Sequence, residues 1–468
     1  MLIRNAELNF GEIADVRLAV GRIVSIAPKL EPAPGEAVLD ARGGALLPGL
    51  HDHHIHLVSL AVALESLSCG PPQVNTETEL VTRLRERSAA LDDGEWIRGF
   101  GYHESVAGDI DRDWLDLHVA DRPVRIQQRS GRLWIVNSCA LEQLGVHGDA
   151  ALPAGLELID GRPSGRIYDA DAWLRDKLPR GFPPLARVGA LLAGYGVTGV
   201  TDTTPHNDLA QFRHFVAARA AGEMAQEILV MGDASLDTAI DARGVCRGPT
   251  KIHLHESDLP LFDDMVSTIR RSHDAGRPIA IHCVTVAELV FSLGALECAG
   301  AQAGDRIEHA AVAPPDVLPL LVAQGVTVVT QPNFILERGD AYLRDVALAE
   351  RPWLYRLRGL LDAGIPVGGS TDAPFGDANP WLSMHAAVQR RSASGSVLGA
   401  VEALAPEDAL ALFTSAAHTP GGPPRRIAVG AAADLCLLDR PWAVARRNLS
   451  KVRVVATLKD GASLYSAL

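Results

Sequence analysis

A histidine pair near the start of the chain has the spacing of a metal site. His54 and His56 lie in LHDHHIHL (residues 50–57), an apolar run that predicts a β-strand. Side chains alternate along a strand, so both imidazoles project from one face and can bind the same ion, while Ile55 packs on the other face. A single pair of this kind is a weak signal, so its interpretation depends on the rest of the chain.

Four further candidate ligands lie on predicted strands at regular intervals. Lys251, His282, His309 and Asp372 are separated by 31, 27 and 63 residues. One βα unit takes about 30 residues, so this spacing places them on the fourth, fifth, sixth and eighth strands of a repeated series. They would then meet at one mouth of a barrel. Imidazole and carboxylate ligands suit Zn²⁺ first, although Mn²⁺, Fe²⁺, Co²⁺ and Ni²⁺ accept the same donors.

Eight apolar runs of strand length predict the barrel that positions these residues. Longer helical stretches separate the runs, as is typical of parallel βα units. The predicted strands cover residues 50–57, 197–203, 227–232, 250–255, 278–284, 305–310, 326–332 and 365–372. The sequence therefore predicts an α/β fold, a distorted TIM (β/α)8 barrel.

The segments outside this series predict two additional parts. Residues 1–46 and 425–468 contain short alternating strands, and we expect both termini to build one small β-sandwich. The barrel is assigned to residues 47–424. Residues 58–190, approximately, separate its first two strands and are too long for one connection, so they predict an inserted region that covers the substrate.

These motifs resemble those of the amidohydrolase superfamily, specifically the branch called amidohydrolase family 3. The resemblance covers most of the barrel and the predicted sandwich, with a weaker similarity over residues 101–141 of the insertion. The matching segments are PGLHDHHIHL (48–57), GPTKI (248–252), IAIHCV (279–284), DRIEHA (305–310), TQPNF (330–334), GGSTDAPFGDANPW (368–381) and GAAADLCLLD (430–439).

The resemblance implies two divalent metal ions, for which Zn²⁺ is the first expectation. His54, His56 and Asp372 would bind the more buried ion, and His282 and His309 the more exposed one. The nearby histidines 51 and 53 would be neighbours of the site. Two ions can share a hydroxide and supply a nucleophile at neutral pH.

The resemblance also implies roles for a lysine and an aspartate. Lys251 would react with carbon dioxide and bridge both ions as N6-carboxylysine, because an ammonium has no lone pair. The alternative is a surface or salt-bridged lysine. Asp372 would accept the proton of the hydroxide and return it to the departing nitrogen. The expected reaction is hydrolysis of an amide-like C–N bond in an N-acyl or N-formyl amine, a carbamate, a urea or a cyclic imide.

Six other side chains are candidate substrate contacts. Arginine and tryptophan in the insertion could hold an acidic or aromatic part of a substrate, although such an arginine is also typical of a structural ion pair. A histidine near the end of the fourth strand shares a predicted face with Lys251 and His253, and either histidine could instead support the lysine. The six candidates are His103, Arg132, Trp134, His255, Gln331 and Asn333.

Two other functions remain open at this stage. One is a mononuclear aminohydrolase that deaminates a heterocycle; such relatives place a glutamate shortly after the fifth-strand histidine, whereas Glu288 follows His282 by six positions. The other is a barrel that serves as a scaffold without catalysis. The number of bound ions would separate these hypotheses.

Composition restricts the partners. The 468 residues carry 57 acidic and 44 basic side chains, a net charge of −13, and no basic run, which argues against nucleic acid or an anionic membrane surface. The chain starts without a basic and apolar leader, and its six cysteines are scattered, so we expect a cytoplasmic protein with reduced thiols. We expect a small-molecule substrate and a homodimer.

Overall fold

The structure, a computed structural model, describes residues 1–71, 73–146, 152–178 and 181–467. It contains two compact units. The first unit combines Met1–Ser59 with Pro184–Leu468, and the second is Leu60–Pro183.

The strands of the described chain are numbered in chain order. They are β1 (Leu2–Leu8), β2 (Glu12–Ala19), β3 (Arg22–Ala27), β4 (Val38–Asp40), β5 (Leu46–Pro48), β6 (Leu50–Ile55), β7 (Leu67–Ser68), β8 (Ile97–Tyr102), β9 (Val124–Gln128), β10 (Leu133–Val136), β11 (Leu156–Ile159), β12 (Arg162–Tyr168), β13 (Val197–Asp202), β14 (Glu227–Gly232), β15 (Val245–His253), β16 (Ile279–Cys283), β17 (Arg306–His309), β18 (Thr327–Thr330), β19 (Val367–Gly369), β20 (Leu435–Leu438), β21 (Val454–Lys459) and β22 (Ala462–Ser466).

The α-helices are numbered in the same way. They are α1 (Leu57–Glu65), α2 (Glu77–Ala90), α3 (Arg112–His118), α4 (Ser138–Gln143), α5 (Asp171–Lys177), α6 (Ala186–Gly194), α7 (Leu209–Ala220), α8 (Phe262–Asp274), α9 (Val286–Ala299), α10 (Leu318–Gln324), α11 (Asn333–Asp345), α12 (Arg358–Asp362), α13 (Pro380–Gln389), α14 (Pro406–Ala411) and α15 (Trp442–Ala445). Among the described residues, no helix combines the length and the apolar character needed to cross a membrane.

Eight strands of the first unit form the predicted barrel. They pair in parallel in the order β6-β13-β14-β15-β16-β17-β18-β19. Beyond the ends of β19 and β6, the N–H of Asp372 donates to the carbonyl of His54, and the N–H of His56 donates to the carbonyl of Ala373, both at 2.9 Å. These bonds join the first and last strands. The TIM-type fold class and its eight strands are therefore confirmed.

The barrel strands are buried on both faces, as parallel sheets usually are. Every residue of β6, β13 and β17 is buried. Polar side chains in such strands lose water and need partners, so each one is a candidate for a defined role. The sequence RIEH of β17 carries a charged pair and a histidine into this environment.

Both termini of the chain contribute to one further core in the first unit. One sheet has the order β3-β2-β1-β4 and the other β22-β21-β20-β5. Ile3 and Val16 of the first sheet belong to the same buried cluster as Leu435 and Leu458 of the second. The bounds that we predicted for the sandwich and the barrel stay predictions.

The second unit has its own mixed sheet, with strands in the order β11-β12-β10-β9-β8-β7. Its core includes Cys69, Ile97, Tyr102, Ile126 and Ile135, all fully buried. A separate core of this size explains how so long a segment can stand between two neighbouring barrel strands.

Candidate active site

The predicted ligands converge on one cavity in the first unit. The cavity has a volume of about 620 Å³ and lies at the carboxyl ends of the barrel strands, where catalytic residues of this fold are found. All six predicted ligands line it: His54, His56, Lys251, His282, His309 and Asp372.

The ring of His54 is fixed by a buried carboxylate. Its Nδ1–H donates to Glu308, which also accepts a hydrogen bond from Arg306 Nη2 at 3.1 Å and one from Arg306 Nε. Arg306, the adjacent Lys251 and His54 hold the pKa of Glu308 well below its usual range, although burial opposes them. Because an ionised carboxylate only accepts hydrogen bonds, the proton of His54 stays on Nδ1 and Nε2 keeps a lone pair.

The lone pair on Nε2 of His54 faces another hydrogen-bond acceptor, an oxygen of Asp372. Asp372 Oδ1 lies 3.5 Å from Nε2 of His54 and 3.2 Å from Nε2 of His56. This oxygen is buried and receives no hydrogen bond from the described residues. Two ligands of a tetrahedral zinc ion, with bonds of about 2.0–2.1 Å, would lie about 3.3–3.4 Å apart. The spacing and the opposed lone pairs thus match the donor set of a bound cation.

His309 and His282 extend the histidine group across the cavity. Nδ1–H of His309 donates to Gln331 Oε1 at 2.7 Å, which again leaves Nε2 with a lone pair. Single ligand atoms of His54, His309 and Asp372 all lie within 4.8 Å of one another. The ring of His282 lies 4.4 Å from that of His309, edge to face, and is stacked on His253 at 4.1 Å.

Burial keeps four histidines of the cavity neutral: His54, His253, His282 and His309. Burial lowers the pKa of His54 and of His309 to about 3. Burial also lowers the pKa of His282, with a further contribution from His309, and lowers that of His253 to about 4. Neutral imidazole is the form that binds metals, so the electrostatics of the cavity favour the binding form.

Lys251 ends in the same cavity without a partner. Its side chain is buried, and Nζ has no hydrogen bond to any described residue. Burial lowers its pKa to about 8, so the amine is partly neutral near physiological pH. The salt-bridged lysine that we kept as an alternative is not found among the described residues.

The loop after β13 supports the other side of the site. Asp202 accepts hydrogen bonds from the N–H of Leu57 at 2.7 Å, the N–H of Thr204 at 3.1 Å and Asn207 Nδ2 at 2.7 Å. The hydroxyl of Thr204 in turn lies 3.0 Å from Nδ1 of His56. Asp202 therefore positions the backbone on both sides of His56 without contacting its ring.

Several neighbours of the ligands have other partners. His51 is bonded to Thr201 and His53 to Ser415, both at 3.0 Å, and neither lines the cavity. Cys283 is buried beside Ser292, and burial raises its thiol pKa to about 12, so it is a small buried residue and not a nucleophile.

The structure places the predicted substrate contacts of the first unit in two environments. His255 lines the cavity and is exposed. Gln331 and Asn333 are fully buried. The amide of Gln331 is bonded to His309 and to Ser370. The amide of Asn333 is bonded to Glu337 and to the carbonyl of Thr371. These two amides form hydrogen bonds with neighbouring residues and are not part of the cavity lining.

The other three predicted contacts lie in the second unit. Arg132 forms an exposed ion pair with Asp169, with Nε at 2.8 Å and Nη2 at 2.6 Å from its oxygens. Trp134 is buried, with the guanidinium of Arg125 5.5 Å from its ring centre. His103 Nδ1 lies 2.8 Å from the hydroxyl of Ser105. Their roles toward a substrate stay predictions.

Sequence reasoning missed the residues that support and enclose the ligands. Glu308 was detectable, because an acidic residue next to His309 in a fully buried strand needs a charged or hydrogen-bonding partner. The aromatic wall of Phe334, Tyr355 and Phe375, with Arg338, had no comparable signal, since these residues come from separate loops and a helix.

The chain is similar to known proteins over nearly its whole length. The family model described as "Amidohydrolase family" matches residues 37–465. The N-substituted formamide deformylase of Arthrobacter pascens is 26% identical, over 96% of this chain and 94% of that protein.

Solved structures show the same fold. An uncharacterized metal-dependent hydrolase from Pyrococcus horikoshii OT3 matches with a TM-score of 0.78 and 21% identity, over 95% of this chain and 99% of that one. The N-isopropylammelide isopropylaminohydrolase of Burkholderia multivorans matches with a TM-score of 0.53 and 16% identity, over 99% and 98%. The resemblance stated from the motifs is confirmed.

Proposed function

The chain belongs to the amidohydrolase family and is a hydrolase of C–N bonds other than peptide bonds. We propose that it cleaves an N-acyl or N-formyl amine with two divalent ions bound in the cavity. The observation that carries this proposal is that two hydrogen-bond acceptors face each other in the cavity. The unprotonated Nε2 of His54 faces the oxygen of Asp372 that receives no hydrogen bond from the described residues. Such a pair is unfavourable unless a cation lies between its members.

The donor set fits two ions. His54, His56 and Asp372 would hold one ion, and His282 and His309 the other, with Zn²⁺ as the first choice for nitrogen and oxygen donors. When bound, the ions lower the pKa of water and polarise the carbonyl of the substrate.

Lys251 supplies the link between the two ligand groups in this proposal. Its neutral amine attacks carbon dioxide and loses a proton, which gives an anionic carbamate with two oxygens. A pKa of about 8 leaves enough neutral amine for this reaction at physiological pH. The buried Nζ has no competing hydrogen bond among the described residues, which supports the modification.

Asp372 acts first as the general base and then as the general acid of the proposed reaction. Its carboxylate accepts a proton as water adds to the carbonyl carbon, and then donates that proton to the nitrogen as the C–N bond breaks. One water is consumed, and the products are a carboxylic acid and an amine, which at neutral pH are present as carboxylate and ammonium. Without this transfer the nitrogen would have to leave as an anion, which is far less stable.

The choice of N-acyl or N-formyl amines has two supports. The relative from Arthrobacter pascens is named for N-substituted formamides. The deaminase alternative also has less support, because the first glutamate after His282 is Glu288, six positions on, and its carboxylate accepts the N–H groups of Val284 and Thr285 and caps α9. Its carboxylate is therefore committed to the backbone.

The test combines metal analysis with a substrate panel. Protein purified after growth with zinc should contain about two ions per chain and hydrolyse members of a panel of N-formyl and N-acyl amines, carbamates, ureas and cyclic imides. Asp372→Asn should lower kcat by about 10²–10⁴, the usual scale for lost acid–base catalysis. A single ion with deamination of heterocycles, or metal-free protein under these conditions, would contradict the proposal.

A further inference from the structure

An arginine that forms no ion pair with any described carboxylate lies in the wall of the cavity. Arg338 and Phe334 are four residues apart on α11 and share one face of that helix. The guanidinium carbon lies 3.9 Å above the ring of Phe334, and Nη2 donates to the carbonyl of Phe375 at 2.7 Å. The group is thus held in a defined orientation at the cavity wall.

The charge of Arg338 is offset only at longer range, by Glu337, whose pKa it lowers against the effect of burial. No carboxylate of the described residues forms an ion pair with it. Glu337, the adjacent acid, accepts hydrogen bonds from Asn333 and from the N–H of Asp377. Tyr342, the other polar side chain beside the guanidinium, is uncharged. The hydrogen bonds to the carbonyl of Phe375 and to the hydroxyl of Tyr342 use two of its five N–H groups.

The lining of the cavity offers few groups that could hold an anion. Among its described lining residues, Asp372 is the one carboxylate, and it lies beside the histidines. Arg338 is the lining cation that the proposed function leaves unmodified. A negative group of a substrate would therefore be attracted to Arg338.

Phe375 links Arg338 to the predicted metal ligands, because it contacts both Arg338 and His56. The ring of Phe375 contacts that of His56 edge to face, with centres 5.3 Å apart, and the N–H of Phe375 donates to the carbonyl of Asp372 at 2.8 Å. On the other side, Phe334 contacts Tyr355, with ring centres 5.6 Å apart. Phe375 thus contacts both the guanidinium of Arg338, through its carbonyl, and the ring of the predicted ligand His56.

Building on the proposed function, we propose that Arg338 binds a carboxylate of the substrate, so that the preferred substrates are N-acyl or N-formyl amines that also carry a carboxylate. The planar guanidinium can bind both carboxylate oxygens. Its stacking on Phe334 holds the guanidinium in one orientation before the substrate binds. The apolar remainder of such a substrate would pack on Phe334, Tyr355 and Phe375.

Two compounds that differ only in the carboxylate test this proposal. N-formylphenylalanine, as both enantiomers, is compared with N-formyl-2-phenylethylamine, and the acetyl analogues are compared in the same way. The metal-loaded enzyme should prefer the acid in kcat/KM by about 10- to 100-fold, the scale of hydrogen bonds to a charged group. Equal kcat/KM for acid and neutral amide would overturn the proposal.

Three variants separate binding from a structural role. Arg338→Met should raise KM for the acid far more than it changes kcat, and bring the acid-to-neutral ratio close to 1, whereas Arg338→Lys should recover part of the preference. Arg344→Met alters an exposed arginine on the same helix and should leave the ratio unchanged. An equal loss for both compounds in Arg338→Met would assign the residue a structural role and overturn the proposal.

Calorimetric binding distinguishes this inference from the proposed function. If the enzyme binds the acid more tightly than the neutral amide, and Arg338→Met removes the difference, the carboxylate site is supported even when neither compound is hydrolysed. In that case the proposed reaction fails while the binding site stands. Equal affinities for acid and neutral amide would contradict the carboxylate site whether or not turnover occurs.

Discussion

At the scale of single residues, the protonation of the ligands depends on groups that do not touch the cavity. Glu308 holds the proton of His54 on Nδ1, and Gln331 does the same for His309. Each contact leaves Nε2 free for a metal and fixes the plane of the ring. The rings of these two predicted ligands are therefore oriented without a bound ion.

Glu308→Gln should lower metal affinity by about 10- to 100-fold, the range typical of lost carboxylate–histidine contacts. The amide is similar in size but has no charge, so it holds the His54 tautomer less strongly and leaves Arg306 buried without its ion pair. Competition with a chromophoric chelator measures the affinity, and circular dichroism checks the fold.

Glu288→Gln is the matched control for that variant. Glu288 is also buried, but its carboxylate caps α9 and contacts no histidine. Its variant should lose some stability and keep the metal affinity of the original protein. Equal affinities for all three proteins would mean that Glu308 does not orient the ligand.

At the scale of elements, the end of β17 shows how one strand supplies two groups to one site. Side chains alternate along a strand, so Glu308 and His309 should point to opposite faces. His309 has a φ of 69° and Ala310 a φ of 44°, in the left-handed region. Such a conformation costs a non-glycine residue about 1–3 kcal/mol. It turns His309 into the cavity while Glu308 reaches His54 from the same strand.

The loop after β13 gives a prediction about an element that positions His56. Asp202→Ala leaves the buried N–H groups of Leu57 and Thr204 without their acceptor, at about 1–3 kcal/mol for each unpaired group. Urea unfolding should show the lost stability, and metal affinity should fall because the backbone beside His56 moves.

Asp208→Ala controls for a general loss of stability near that loop. Asp208 is exposed and caps α7 by accepting the N–H of Gln211, so its loss should cost about 0.5–2 kcal/mol. Metal affinity should not change in this variant. A fall in affinity that is equal in both variants would refute a specific role for Asp202.

At the scale of the whole molecule, the buried core and the metal ligands make separate contributions to stability. The barrel strands and the terminal sheets have buried apolar cores that need no ion. Ions that bind only the folded chain add stability by mass action, about 2.7 kcal/mol at a concentration 100 times the Kd.

Removing the metal should therefore lower the melting temperature while leaving the far-ultraviolet circular dichroism spectrum at 25 °C unchanged. Zinc together with bicarbonate should restore the melting temperature of the original protein. Lys251→Ala should retain the fold, bind less metal, and respond weakly to both additions. Superimposable melting curves of the metal-loaded and metal-free protein would contradict a metal centre built on these ligands.

The sequence by itself determined the barrel and the residues that line its mouth. The eight strands were predictable because parallel strands buried on both faces need continuous apolar runs, and the spacing of Lys251, His282 and His309 follows the length of one βα unit. The family resemblance added roles for these residues, which stay predictions.

The residues that support or enclose the predicted ligands could be identified only from the folded structure. The contact of Glu308 with His54 joins residues 254 positions apart, and the turn at His309 breaks the alternation on which strand reasoning depends. Gln331 and Asn333 looked like substrate contacts because they follow a strand, yet their amides are fully used by buried partners. The direction of a side chain at a strand end depends on local backbone angles and on distant partners, and neither is encoded in residue spacing.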